Sequence, residues 1–137
     1  MPDGYYHVTA RGNRGTRIFL EDLDRLDFID LLRSTVARFD WRAHAHCLMG
    51  THYHLVVEAS RERLSEGMRR LNGIYARRFN RRYGFKGHLF ETRFSSWVIR
   101  DEEHLTAAVE YVLGNPVRAG LCRDPREWRW SASAYRT

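Results

Sequence analysis

The sequence predicts an α+β fold of the ferredoxin-like type, a split β-α-β arrangement with an antiparallel sheet and helices packed on it. Three observations lead to this prediction. Segments with strand and helix periodicity follow in the order β-α-β-β-α-β-α, two adjacent strands form a hairpin, and no repeat or linker divides the chain. With 137 residues, 43% of them hydrophobic, residues 1–137 are expected to form a single domain.

The first half of the chain is expected to supply three strands and one helix. Residues 5–12 alternate as a strand, with His7 and Arg11 on one face, and the glycines of 12–15 indicate a turn. A helix is predicted from Asp22 or Asp24 to about Phe39, followed by strands at 41–49 and 51–57 joined at Gly50-Thr51. The predicted apolar stripe of this helix is Leu23, Leu26, Ile29, Leu32 (or Leu31), Val36 and Phe39.

The second half is expected to add two helices and a strand. A helix is predicted over about 64–83, ended by Gly84, and then a short strand at 94–99. Asp101 is expected to cap a third helix that runs to about Gly114, and the tail at 124–130 is expected to be irregular or briefly helical. The predicted apolar stripe of the longer helix is Leu64, Met68, Leu71, Tyr75 and Phe79.

The charge balance favours a nucleic-acid partner. Lys and Arg total 23 against 17 Asp and Glu, a net charge of +6, and Lys86 is the only lysine. Arginine binds phosphate in a bidentate manner and stacks on bases, although a GC-rich genome also raises the arginine content. No apolar stretch is long enough to span a membrane, no signal peptide is recognisable, and Cys47 and Cys122 form no metal-binding pair, so a cytoplasmic protein is expected.

A histidine pair opens the second strand of the hairpin. His52 and His54 are two residues apart on a strand, so their side chains are expected on the same face. Two such imidazoles provide half of a site for Zn, Mn, Fe, Ni or Cu, or they are simply a polar strand face.

The last turn of the third helix carries a second candidate pair. Tyr111 and Asn115 are four residues apart and share a helix face, and Pro116 is expected to end the helix at Asn115. The carbonyls exposed at a helix C-terminus favour a cation. Alternatively, Tyr111 is a half-buried core residue and Asn115 a helix cap.

On these residues the chain resembles the single-tyrosine (HUH) nucleases, in which a His-hydrophobic-His signature precedes a tyrosine helix. It is most similar to the IS200-like transposases, and within them to the group associated with repetitive extragenic palindromes (REP). Ordered blocks along nearly the whole chain carry the likeness: Tyr6-His7-Val8-Thr9-Ala10-Arg11-Gly12-Asn13, Ala45-His46-Cys47-Leu48-Met49-Gly50-Thr51-His52-Tyr53-His54-Leu55, Tyr75-Ala76-Arg77-Arg78-Phe79-Asn80 and Asn115-Pro116-Val117-Arg118-Ala119-Gly120-Leu121.

The resemblance implies a tyrosine transposase, a metal-dependent endonuclease that acts on single-stranded or hairpin DNA. It implies that His52, His54 and Asn115 bind Mg²⁺ or Mn²⁺, and that Tyr111 attacks the scissile phosphate to form a 5′-phosphotyrosine and release a 3′-hydroxyl. Related enzymes often have Gln at the position of Asn115, and Pro-Asn in place of Gly50-Thr51. A reversible phosphotyrosine link would also allow strand joining, and relatives work as monomers or as homodimers.

A DNA-binding surface is expected on the second helix, whose arginines alternate with aromatic residues. Such a row of cations gives salt-sensitive binding to phosphates, unless it is only a solvated face, and exposed aromatics would stack bases. Tyr75 and Phe79 lie on the apolar stripe and are expected in the core, which leaves Tyr83 and Phe85 for stacking. The candidate DNA-binding residues are Arg69, Arg70, Arg77, Arg78, Arg81, Arg82 and Lys86, with Arg11 and Arg14 as further phosphate contacts.

Alternatives for the metal ligands, the function and the nucleophile stay open from the sequence. His44 and His46 on the neighbouring strand would complete a four-histidine zinc site, and His7 and Glu58 are weaker ligand candidates. The chain would otherwise be a relaxase-like or replication-initiator-like nickase, or a nucleic-acid-binding domain without catalysis. If Tyr111 is not the nucleophile, the remaining suspects are Tyr75, Tyr83 and Tyr135.

Overall fold

A computed structural model describes residues 4–133 as five strands and four helices with two 3₁₀ turns. The strands are β1 (Gly4–Arg11), β2 (Arg42–Leu48), β3 (His52–Ala59), β4 (Ser95–Ile99) and β5 (Ser131–Ser133). The helices are α1 (Asp22–Arg38), α2 (Arg61–Tyr83), α3 (Glu102–Leu113) and α4 (Asn115–Arg118), and the 3₁₀ turns are Asn13–Gly15 and Pro125–Glu127. No helix of this part of the chain is long and apolar enough to cross a bilayer.

The strands form one antiparallel sheet in the order β4-β1-β3-β2-β5. The order of the first four is that of a split β-α-β unit, which confirms the predicted fold. The fifth strand was not predicted, because three residues are too few for a periodic pattern. Its position follows from the preceding tryptophans: Trp128 donates from its indole to the carbonyl of Leu48, and Trp130 is buried.

The two faces of the sheet carry different helices. α1 and α2 pack against the face that presents Val8, Tyr53 and Leu55, and they form the larger core with it. α3 packs against the other face, where Cys47 and Val56 belong to a second, smaller core. Because side chains alternate along a strand, adjacent residues of β3 serve opposite faces.

The predicted stripe of α1 is wrong over its first two turns, where Leu23 and Leu26 are 64% and 44% exposed. Asp24 is fully buried instead, with Phe28 one turn later. The carboxylate of Asp24 accepts hydrogen bonds from the backbone N–H of Glu21 (3.0 Å) and from the Tyr83 hydroxyl (2.8 Å), and it pairs with an α2 arginine. These contacts fix which side of α1 faces α2, and no apolar pattern reports them.

The other helix predictions need smaller corrections. α2 begins at Arg61, one turn earlier than predicted, because the Ser60 side chain accepts a hydrogen bond from the backbone N–H of Arg63. Its predicted apolar stripe is buried, and Gly84 ends it with a left-handed φ of 68°. Asp101 caps α3 as predicted, by accepting from the N–H of His104 at 2.7 Å.

Candidate active site

His52 and His54 lie on the same face of β3, as predicted, with ring centroids 5.0 Å apart. Arg11 and Thr9 of β1 lie directly opposite them in the sheet. The shared face is the one that α3 covers only in part, so this end of the sheet keeps a polar cluster instead of an apolar core.

The hydrogen bonds of the histidine pair leave one nitrogen of each ring available. The Nδ1 of His54 lies 3.1 Å from the Nε2 of His7 and 3.0 Å from the Thr9 hydroxyl, and the Nδ1 of His52 lies 3.1 Å from the Thr51 hydroxyl. Within residues 4–133, neither Nε2 of the pair has a hydrogen-bond partner. An imidazole whose Nδ1 is held in this way can present Nε2 to a metal ion.

The surroundings keep these imidazoles neutral. Burial, reinforced by His52, His7, Arg11 and Arg118, lowers the pKa of His54 to about 3. Burial and the charge of Arg11 lower the pKa of His52, and burial lowers that of His7. Only neutral imidazole binds metal, so the protonation state fits a metal site at neutral pH.

Tyr111, on the last turn of α3, opens into the same cleft as His54. Its side chain is 53% exposed, and its ring centroid lies 5.9 Å from that of His7 in an edge-on arrangement. A cleft of about 760 Å³ separates α3 from β1 and β4, and Tyr111, His7, Thr9 and His54 all line it. The structure therefore brings a solvent-accessible phenol to the histidine cluster.

Arg118, a residue that the sequence did not single out as a site residue, holds the ring of Tyr111. Its guanidinium carbon lies 4.0 Å from the ring centroid, and its Nη2 donates to the Tyr111 carbonyl at 2.6 Å. The guanidinium passes over Gly114, where an added Cβ would lie 2.8 Å from Nη1. A side chain at position 114 would thus push the guanidinium aside.

Asn115 lies differently from its prediction. α3 ends at Leu113 rather than at Asn115, and Asn115 opens α4, because Pro116 fits the first turn of a new helix. The Asn115 Nδ2 is buried without a hydrogen-bond partner. An unpartnered buried amide fits a missing polar ligand, because exchanging its nitrogen and oxygen positions presents an acceptor there. The metal-ligand role of Asn115 stays a prediction.

The four-histidine alternative is wrong. A β-bulge between Ala43 and Ala45 changes the register of β2. His44 contacts Tyr5 and Glu58 on the α3 face, whereas His46 pairs with Leu55 and lies on the opposite face. Among the described residues, no group of three His, Cys, Asp or Glu side chains has the geometry to hold a metal ion.

The alternative nucleophiles lie elsewhere. Tyr75 is completely buried and donates its hydroxyl to the carbonyl of Ile18. The Tyr83 hydroxyl donates to Asp24, and Tyr135 lies outside the described residues. Tyr111 is therefore the tyrosine that faces the histidines in residues 4–133.

The predicted DNA-binding arginines of α2 lie across the sheet from this cleft, and only some of them share a surface. Arg69 and Arg77 line a groove of about 730 Å³ between α2 and the segment 87–94, together with Arg93, which sequence reasoning missed. We call this the basic groove. Its polar lining also includes Asn72, whose Oδ1 accepts a hydrogen bond from Tyr53 of β3.

Other arginines of the predicted set have structural partners. Arg78 pairs with Asp27 at 2.8 Å, and Arg82 pairs with both Asp27 and the buried Asp24. Arg70 is half-buried with an unpartnered Nη1. Arg14, Arg81 and Lys86 are exposed, and Arg11 lines the histidine cleft. Their roles in DNA binding stay predictions.

The aromatic residues of α2 divide as expected. Tyr75 and Phe79 are buried in the core, and Phe85, just beyond the helix, is 52% exposed. Tyr83 is half-buried and stacks on Phe85, with ring centroids 6.0 Å apart.

Comparisons with known proteins give a family and a shared fold. A family model described as "Transposase IS200 like" matches residues 1–115. The structure of a REP-associated tyrosine transposase bound to a REP hairpin is similar, with a TM-score of 0.78 at 18% identity over 96% of this chain and 77% of that one. A putative transposase from Deinococcus radiodurans R1 has a TM-score of 0.58 at 17% identity, over 84% of this chain and 92% of that one. No curated protein matches the sequence.

Proposed function

The chain belongs to the IS200-like transposase family, and on this premise we propose that it cleaves single-stranded DNA near a hairpin through a covalent link to Tyr111. The observation that carries the proposal is the cleft in which an accessible phenol faces a cluster of neutral imidazoles. A nucleic-acid-binding domain without catalysis would have no need for this arrangement.

The cleavage step exchanges one ester bond for another. The Tyr111 oxygen attacks phosphorus and loses its proton, the bond between phosphorus and the 3′ oxygen breaks, and that oxygen leaves as a protonated 3′-hydroxyl. The DNA 5′ end stays attached as a phosphotyrosine, which keeps the energy of the phosphodiester and allows a 3′-hydroxyl to reverse the step.

The chain's own residues orient the nucleophile. Arg118 stacks on the phenol ring and bonds the Tyr111 backbone, which restricts the ring to the cleft. The same guanidinium lies 4.0 Å from the centroid of the phenol ring, so it would be close to a phosphate that Tyr111 attacks. A cation there would attract the phosphate and offset charge in the transition state.

His52 and His54 would hold a divalent ion, Mg²⁺ or Mn²⁺, through their Nε2 atoms, with the side chain of Asn115 as the third protein ligand. The available nitrogens, their neutral state and the unpartnered amide support this assignment. Such an ion supplies Lewis-acid polarisation of the phosphate. Thr9, His7 and Thr51 would fix the orientation of the two rings from behind.

The proposed partner is hairpin DNA with an unpaired flank. The fold is shared with a REP-associated transposase that was solved with a REP hairpin, and the basic groove offers Arg69, Arg77 and Arg93 to phosphates. We assign the groove to general DNA affinity and the cleft to chemistry, because of the two only the cleft is lined by Tyr111 and His54.

The test is the formation of a covalent protein–DNA adduct. The purified chain is incubated with labelled hairpin oligonucleotides and Mn²⁺, and adducts are resolved on a denaturing gel. We expect a band with the unmodified chain and with Tyr83→Phe, and none with Tyr111→Phe. If binding occurs but no adduct forms under any divalent ion, the chain is a binding domain and the nuclease proposal fails.

A further inference from the structure

Trp97 is a tryptophan that the core does not use. Its side chain is 54% exposed, whereas Trp41 and Trp130 are almost completely buried. It lies on β4 directly opposite His7 of β1, and the two rings are 5.1 Å apart with an interplanar angle of 39°. His7 in turn contacts the ring of Tyr111, so a row of aromatic rings leads from Trp97 to the phenol.

The lining of the cleft beside this row suits a flat apolar group with anionic groups on either side. Ala107 and Ala108 of α3 line it with small side chains, and Arg11 and Arg100 are the arginines of its lining. No carboxylate is among its lining residues in the described part of the chain. About 760 Å³ is space for a nucleotide-sized group, and the combination of cations with an exposed aromatic is that of a single-strand binding site.

We propose that this cleft holds one unpaired nucleobase of the DNA strand, stacked on Trp97, next to the phosphate that Tyr111 attacks. Arg11 and Arg100 contact the phosphates on either side of that base. The proposal rests on the proposed function, because it identifies the cleft occupant as a nucleotide of the cleaved strand.

The stacked base has a positional role. A single strand rotates freely about its backbone, so the phosphate needs a fixed neighbour to be presented in line with the phenol. Stacking fixes that neighbour without reading its identity, since every base has an aromatic face. Trp97 is therefore a positioning residue, and the group that it contacts is a base of the DNA strand.

The experiment combines variants of Trp97 with missing bases in the DNA. Binding is measured in the Tyr111→Phe background, so that no cleavage occurs, with hairpin oligonucleotides that carry one abasic site at successive positions of the unpaired flank. Trp97→Ala is compared with Trp97→Phe, which keeps an aromatic face. Phe85→Ala is the matched control, because Phe85 is exposed to a similar degree, 52%, but does not line the cleft.

We expect Trp97→Ala to lose roughly 5- to 100-fold in affinity for intact DNA, and Trp97→Phe to lose much less. At one abasic position the loss caused by Trp97→Ala should shrink to less than about twofold, because the stacking partner is already absent. Phe85→Ala should show no such dependence on that position.

The outcomes separate this proposal from the proposed function. If the unmodified chain forms the Tyr111 adduct but Trp97→Ala binds normally, or loses equally at every abasic position, the stacking site is overturned alone. If the effect of Trp97→Ala disappears at one abasic position but no adduct ever forms, the stacking site is supported and the nuclease proposal is wrong. A chain that binds no single-stranded DNA overturns both.

Discussion

The histidine cleft and the basic groove lie on opposite faces of the same sheet and differ in what surrounds their charges. The cleft combines buried neutral imidazoles with an exposed phenol, and its lining within residues 4–133 contains no carboxylate. The groove is lined by arginines and amides of α2 and the following segment, and it includes Glu91. On the proposed function, the cleft would act on a single phosphate and the groove would contact several.

β3 joins the two regions. His54 lines the cleft and His52 lies beside it on the same face, whereas Tyr53 between them reaches through the core to Asn72 in the groove. The period of a strand alone produces this division, since adjacent side chains point to opposite faces. Substitutions on either side should therefore separate the rate of adduct formation from DNA affinity.

The largest effect is expected from His54→Ala. It removes a proposed metal ligand, and we expect adduct formation at saturating DNA to fall by roughly 100-fold or more, while DNA affinity changes little. The comparison is His88→Ala, an exposed histidine that lines the groove. Adduct yield is measured across a Mn²⁺ titration. Equal yields for His54→Ala and the unmodified chain at low Mn²⁺ would remove His54 from the metal site.

A smaller effect on the same step is expected from Arg118. Arg118→Ala frees the phenol ring, and Gly114→Ala displaces the guanidinium because its Cβ would lie 2.8 Å from Nη1. Both should slow adduct formation by about 10- to 100-fold, and Arg118→Lys should recover only part of the rate. Single-turnover rates at saturating DNA measure this, with the exposed Arg123→Ala as control. A normal rate for Gly114→Ala would contradict the positioning role.

The groove should respond in affinity rather than in rate. We expect Arg77→Gln to weaken DNA binding several-fold and to reduce the slope of log affinity against log salt by about 1, with an unchanged rate at saturation. Arg78→Gln, one residue along, removes a side chain that pairs with Asp27 and should change the salt slope little. Fluorescence anisotropy at several salt concentrations distinguishes the two. Identical slopes would mean that the groove does not contact phosphates.

Arg82 is an arginine of α2 whose substitution should change stability. Arg82→Ala leaves the buried Asp24 carboxylate without its cation and should lower the free energy of unfolding by about 1–3 kcal/mol. Arg81→Ala, exposed on the same turn, should change it by less than about 0.5 kcal/mol. Urea denaturation measures both. Equal stabilities would show that the pair contributes nothing.

The smallest effect concerns pH and the groove side of β2. Burial, together with Arg33, lowers the pKa of His46 from 6.5 to about 4, so folding favours the neutral ring. Its contribution to stability is complete above pH 6.5 and is lost as the pH falls from 6.5 towards 4, because the unfolded chain takes up the proton first.

His46→Gln should therefore flatten the decline in stability over this pH range, by less than about 1.4 kcal/mol per pH unit. A slope will remain, since His7, His52 and His54 are shifted in the same direction. The control is His88→Gln on the surface. Unfolding free energies at several pH values measure the slope, and an unchanged slope in His46→Gln would contradict the assignment.

The sequence predicted the features that follow from the spacing of residues. It did not predict the features that depend on a contact with a distant residue. The strand order, the shared face of His52 and His54 and the buried stripe of α2 follow from patterns of two or of three and four. The exposure of Leu23 does not, because the buried carboxylate of Asp24 determines the rotation of α1. The ion pair between Arg82 and Asp24 could not be predicted from the sequence either, because the two residues are 58 positions apart.

The sequence singled out Tyr111, His52 and His54 as candidate site residues, but not the residues that contact Tyr111 and His7 in the structure. The register of β4 brings Trp97 beside His7, and the turn after α3 brings Arg118 onto the ring of Tyr111. The sequence did contain a signal for Arg118, because this residue is three positions after Asn115 in the block of residues 115–121 that resembles the transposases. The sequence contains no such signal for Trp97, because its exposure depends on the position of β4 at the edge of the sheet.

The junction at Gly114 has one more consequence. α3 passes into α4 through a residue with ordinary right-handed dihedrals, and the N–H groups of Gly114 and Arg118 bond back to the Glu110 and Gly114 carbonyls. Tyr111 and Arg118 therefore lie on one helical segment that passes from α3 into α4 at Gly114. A displacement of this segment against the sheet would carry Tyr111 and Arg118 together, whereas His52 and His54 belong to β3.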